Sequence, residues 1–112
     1  MCGIIGIVSK KQVVDRLVSG LERLEYRGYD SSGVATINNS KIAYTKSTGK
    51  LNSLKKKLKN ESIDGLVGIG HTRWATHGEP TEINAHPHVT ENVALVHNGI
   101  IENFAKFRDE FQ

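Results

Sequence analysis

A single α+β domain is what this sequence predicts, on three observations. Apolar runs of strand character alternate with stretches whose apolar residues recur every three or four positions. The chain is 112 residues long, enough for one core and too short for two. No internal repeat, low-complexity tract or linker divides it, so one α+β unit covers its length.

The elements follow in order. Gly3-Ile4-Ile5-Gly6-Ile7-Val8 reads as a first strand, and Val13, Val14, Leu17, Val18, Leu21 and Leu24 mark one face of a helix closed near Gly28. Val34 to Ile37 and Lys41 to Thr45 read as paired strands joined at Asn38-Asn39, residues that tolerate left-handed backbone. Leu51, Leu54 and Leu58 then recur at helical spacing among lysines. Leu66 to Thr72 and Val93 to His97 are further strands. Ile100, Phe104, Phe107 and Phe111 form the stripe of a last helix, with Glu102 near its positive end. Between these, Ala75 to Val89 lacks apolar periodicity and holds both prolines, so a loop is expected there.

Composition excludes several classes of function. Hydrophobic residues make up 38% and charged residues 24%, which is neither a disordered nor a membrane composition. No apolar run approaches a membrane span, and the first stretch lacks the basic flank and cleavage site of a signal peptide. One cysteine makes no internal disulfide, in keeping with a reducing compartment, and the expected location is the cytoplasm. The net charge of +3 is local, because Lys46, Lys50, Lys55, Lys56, Lys57 and Lys59 are six of the fifteen basic residues. They read as the wet face of one short helix, without the interleaved aromatics that stack on bases, so no nucleic-acid partner is expected.

Three places carry chemistry. Cys2 follows Met1 directly; with Met1 removed, its thiol and a free α-amine of ordinary pKa about 7.7–8.0 would share one Cα, nucleophile beside base. By position alone, it is equally a small oily residue beginning a buried strand. Gly70-His71-Thr72-Arg73-Trp74 lies where a strand runs into the loop. Arg73 offers a planar fork for a carboxylate and Trp74 a wall, or the two are a stacked surface pair. Asn98-Gly99 is either a turn or a pair of donors converging on an oxyanion, worth about 2.7–4 kcal/mol per donor where such sites are known. His71, His77, His86, His88 and His97 invite a metal, but a lone cysteine and no H-E-x-x-H pair argue against one, and neither Gly49-Lys50 nor Gly68-Ile69-Gly70 completes a phosphate loop. No metal or cofactor is expected.

Four motifs then fall into register: Met1-Cys2-Gly3-Ile4-Ile5-Gly6, Leu24-Glu25-Tyr26-Arg27-Gly28-Tyr29-Asp30-Ser31-Ser32-Gly33, Gly70-His71-Thr72-Arg73-Trp74-Ala75-Thr76-His77-Gly78 and His97-Asn98-Gly99-Ile100-Ile101-Glu102-Asn103. In order and spacing they resemble the glutaminase domain of the glutamine–fructose-6-phosphate aminotransferase family of class II amidotransferases, over nearly the whole chain. The resemblance implies an N-terminal-nucleophile hydrolase sandwich of antiparallel sheets between helical layers, only partly covered by this chain. Residues 1–112 would be the N-terminal part of a glutaminase domain, with the isomerase domains absent.

That resemblance implies roles residue by residue. Cys2 would attack the glutamine side-chain amide with its own α-amine handling protons, and Asn98 and the Gly99 N–H would hold the oxyanion. Arg73 would grip the substrate α-carboxylate; Trp74, Thr76 and His77 would line and close the site, with His86 beside them. Arg27 and Asp30 would support the catalytic end of the first strand. The partners implied are glutamine and, through the missing domains, fructose 6-phosphate, with the full-length enzyme a homo-oligomer. The alternative is a catalytically incomplete fragment or regulatory remnant of that domain. A partial sandwich would leave sheet edges and a core face uncovered, so the isolated chain is expected to be marginally stable or to associate.

Overall fold

In a computed structural model, residues 3–24, 30–73, 85–97 and 104–111 are described. In chain order they form β1 (Gly3–Val8), α1 (Val14–Leu24), β2 (Ser31–Asn38), β3 (Lys41–Thr48), α2 (Leu51–Asn60), β4 (Val67–Arg73), β5 (His88–Val89), β6 (Ala94–Leu95) and α3 (Phe104–Phe111). β1, β4, β2 and β3 make one sheet in that order, every pair antiparallel. β5 and β6 pair separately as a short ladder.

Both α1 and α2 pack on one face of the four-stranded sheet, α1 over β1 and β4, α2 over β3, with β2 beneath both. Their apolar stripes supply the core, in which Val13, Leu17, Leu21, Val34, Leu51 and Leu54 are buried. α1 carries Asp15 in its first turn and Arg23 in its last, and α2 ends in Lys57 and Lys59, all matched to the helix dipole. The close approach of α1 requires Gly68, where a Cβ would fall 2.7 Å from Leu17 Cδ1 and 2.9 Å from Val13 Cγ2.

The opposite face is built differently along its length. Ile4, Val8, Ile37, Tyr44 and Val67 lie exposed on it. At the other end, residues 85–88 lie on the sheet, and Gly33 makes this possible: a Cβ there would collide with the His86 carbonyl and sit 3.0 Å from Pro87 Cδ. The described residues therefore show one helical layer and one principal sheet, with the second face covered in part, by residues 85–88 and by the stretch from Asn92 to His97.

Three expectations need correcting. The β2–β3 turn is Asn39-Ser40, both with positive φ (52° and 62°), one residue later than Asn38-Asn39, because Asn38 itself pairs with Lys41. That register keeps Ser32, Val34 and Thr36 towards the helices, and a slip of one would turn them to the other face. The strand expected from Val93 to His97 shrinks to Ala94–Leu95, because its partner β5 is only two residues long. β5 itself lies in the stretch expected to be loop throughout. Gly28, where the first helix was expected to close, and Ile100, of the last helix's stripe, lie outside the described residues.

Candidate active site

Three strand ends meet at one edge of the sheet. Gly3, which opens β1, registers against Thr72, and its N–H donates to Thr72 Oγ1 at 3.2 Å. Ser31, which opens β2, registers against Arg73, which ends β4. Asp30 continues that pairing: its N–H donates to the Arg73 carbonyl at 2.8 Å, and its own carbonyl accepts from Gly49 N–H at 2.7 Å. Arg73 is thus held by its backbone in a rigid ladder and is only 9% exposed. Antiparallel registry puts Ser31, Gly33, His71 and Arg73 on one face, the face on which residues 85–88 lie.

Four histidines collect on that face. His71 is fully buried; its ring stacks on His86 with centroids 4.1 Å apart and planes 18° from parallel. His86 in turn meets the His88 ring at 4.3 Å, tilted by 56°. His71 Nε2–H donates to the His97 carbonyl at 3.1 Å, and His97 N–H donates to His86 Nδ1 at 3.2 Å. These two bonds assign the tautomers, with the proton on Nε2 of His71 and Nδ1 of His86 left bare to accept. His71 Nδ1, Ser31 Oγ and Ser32 Oγ are buried without a hydrogen-bond partner among the described residues.

Burial is the main electrostatic influence here. It lowers His71 to about 4, against a smaller opposing effect of the His97 carbonyl, with His88, Arg73 and His97 adding repulsion to the lowering. His86 is lowered to about 3, first by burial and then by His71, His88, Arg73 and His97. His88 is lowered by burial, Lys46 and Arg73. At neutral pH His71 and His86 are uncharged and poor proton acceptors, so neither is a general base there. They act as fixed hydrogen-bonding walls. Among the described residues, no three His, Cys, Asp or Glu side chains are placed to hold a metal ion.

Of the residues singled out in the sequence, the structure brings Arg73, His86 and Asp30 to this edge. Cys2, Arg27, Trp74, Thr76, His77, Asn98 and Gly99 lie outside the described residues. Sequence reasoning missed the importance of His71, Gly33 and the His97 backbone. The signal available was period two along His71-Thr72-Arg73, which puts the histidine on the same face as the arginine.

Two solved structures are similar to this chain in fold. One is the glutamine phosphoribosylpyrophosphate amidotransferase from B. subtilis complexed with ADP and GMP, with TM-score 0.80 and 23% identity over 98% of this chain and 24% of that one. The other is the allosteric regulatory enzyme of purine biosynthesis, with TM-score 0.81 and 24% identity over 99% of this chain and 25% of that one. They define the fold as that of the N-terminal-nucleophile hydrolases. By sequence the chain is 62% identical, over 110 residues and 98% of its length, to the glutamine–fructose-6-phosphate aminotransferase [isomerizing] of Mesorhizobium japonicum. It is also 62% identical over 109 residues to the protein of that name from Rhizobium leguminosarum bv. viciae. The chain is a homologue of the N-terminal part of the glutamine–fructose-6-phosphate aminotransferases, and it spans 18% of the length of these relatives. No family model matches it. No helix among the described residues is long and apolar enough to cross a membrane.

Proposed function

We propose that this chain is the cysteine-bearing part of a glutaminase, residues 1–112 forming the N-terminal part of a glutamine amidotransferase domain. One observation carries the reading: β1 opens opposite Thr72, so the residue following Cys2 is bonded to the neighbour of Arg73. This fixes the residue after the proposed nucleophile beside the strand end that carries buried Arg73, whose planar fork suits a substrate carboxylate, and so supports the reading.

In this mechanism Cys2, freed of Met1, adds its sulfur to the side-chain carbonyl carbon of glutamine, its proton passing to the α-amine. Asn98 and the Gly99 N–H hold the resulting oxyanion. The C–N bond breaks, the amide nitrogen leaves as ammonia carrying that proton, and water cleaves the γ-glutamyl thioester to glutamate and free thiol. Arg73 pairs with the α-carboxylate, while Trp74, Thr76, His77 and His86 line the site and exclude water. Arg27 and Asp30 support the end of β1. In the full-length protein, which we infer to be a homo-oligomer, the ammonia converts fructose 6-phosphate to glucosamine 6-phosphate on isomerase domains beyond this region.

Mass spectrometry after treatment with a glutamine-mimicking electrophile tests the reading. Labelling is expected on Cys2 only in chains lacking Met1. Labelling indifferent to Met1 would sink the α-amine role, and no labelling with no glutamate release would sink the glutaminase.

A further inference from the structure

The described residues bracket one peptide segment from both sides. His97 has its N–H bonded to His86 Nδ1 and its carbonyl bonded to His71 Nε2, at 3.2 and 3.1 Å. The two rings doing this are stacked on each other at 4.1 Å, and the His86 ring is backed by His88. His71 is anchored in β4 between residues paired to both β1 and β2, and His86, just before β5, rests with its carbonyl over Gly33, so one half of the bracket belongs to the sheet and the other packs on it. His97 is the residue directly before Asn98-Gly99. Its carbonyl is part of the very peptide that leads into Asn98.

We propose that His71 and His86 are positioning residues for the Asn98-Gly99 oxyanion donors, acting through the backbone of His97. This deepens the glutaminase reading and rests on it. Oxyanion donors are effective only when pre-aimed at where charge develops, and a displacement of about 1 Å costs on the order of a hundredfold in rate. A chain segment entering from a two-residue strand has little ladder to aim it. The imidazole bracket supplies that aim, one ring donating and the other accepting. It requires a proton on His71 Nε2 and a bare Nδ1 on His86, because a proton on His86 Nδ1 would replace the acceptor by a donor facing another N–H. His71 is buried beneath the 85–88 segment and His86 is partly buried against the sheet, and this burial disfavours the charged form of both.

The test uses the chain with Met1 removed and pairs disruptive with conservative variants. His71→Leu and His86→Phe remove the donor and the acceptor; His71→Gln and His86→Asn place an amide N–H and an amide oxygen near the same points. The disruptive variants are expected to speed amide hydrogen exchange at His97 by about tenfold or more, leaving the amides of β2 and β4 protected. They are expected to lower kcat for glutamine hydrolysis by about ten- to a hundredfold, and for the His71 variants, whose ring does not line the glutamine site, KM for glutamine should stay within about twofold. The amide variants should recover most of both losses. The proposal is overturned if exchange at His97 does not move, if the loss appears in KM alone, or if the amide variants are as impaired as the disruptive ones. Unfolding of a disruptive variant passes the decision to its amide counterpart, for which kcat reduced as far as by loss of folding overturns the proposal. A parent chain that neither hydrolyses glutamine nor labels at Cys2 refutes the glutaminase and this proposal together, whereas an active parent with silent variants refutes the positioning role alone.

Discussion

Acid should destabilise this fold well before its carboxylates titrate, and His71 sets the scale. In the folded chain its imidazole is held neutral to about pH 4, while the unfolded chain protonates it near 6.5. Between these values the unfolded state binds one more proton, so stability is whole above about pH 7.5 and falls as pH drops through 6.5 towards 4. At pH 5 the unfolded imidazole is almost fully charged and the folded one almost uncharged, which gives a loss of about 2 kcal/mol between pH 7 and pH 5 from this residue. The full gap corresponds to about 3 kcal/mol, developed only below the folded value. His86, lowered to about 3 but half-exposed, adds in the same direction by a smaller amount than its shift alone suggests. Urea unfolding followed by circular dichroism at pH 7, 6 and 5 measures the slope, in a window where ordinary carboxylates near 4 contribute little. His71→Gln should reduce the slope by at least about half, since it removes the larger of the two contributions. A stability that is flat or rises on acidification, or a slope untouched by His71→Gln, would refute the reasoning.

Other changes separate packing from chemistry. Leu21→Ala, at a fully buried position on α1, should cost about 2–5 kcal/mol in urea unfolding, and a loss under about 1 kcal/mol would mean that α1 does not close this core. Gly33→Ala puts a methyl against the His86 carbonyl and should lower glutamine hydrolysis about tenfold or more, with the sheet signal retained. Gly6→Ala is its control, since a Cβ there makes only ordinary contacts, 3.9 Å from the Gly68 carbonyl and 4.0 Å from Ile69 Cγ2; equal effects of the two would contradict the close approach. Arg73→Lys replaces a two-point fork by a point charge and should raise KM for glutamine by about tenfold or more with kcat within about threefold. A fall confined to kcat would remove Arg73 from substrate binding.

Much of this architecture was legible in residue order. The three-and-four spacing from Val13 to Leu24 and from Leu51 to Leu58 defines faces that water must not see, and the structure uses them, while the apolar run Gly3–Val8 marked a strand without saying which of its faces would be buried. Of the candidate site residues, Arg73, His86 and Asp30 were picked out as chemically specific side chains, and the structure brings these three to one edge of the sheet. Ser31-Ser32-Gly33 was not read as strand, since small polar residues carry no apolar signal, yet it is the buried opening of β2. Its burial comes from helices on one face and residues 85–88 on the other, partners far away in sequence. The turn shifted to Asn39-Ser40 for a similar reason: register is decided by which side chains meet the helices, and local turn preference yields to it. Residue order thus carries most of the elements and the candidate chemical groups. That His71 and His86, fifteen positions apart, stack and close on the two backbone groups of His97 follows from the folded arrangement alone, because such a bracket depends on burial and strand registry that no local pattern encodes.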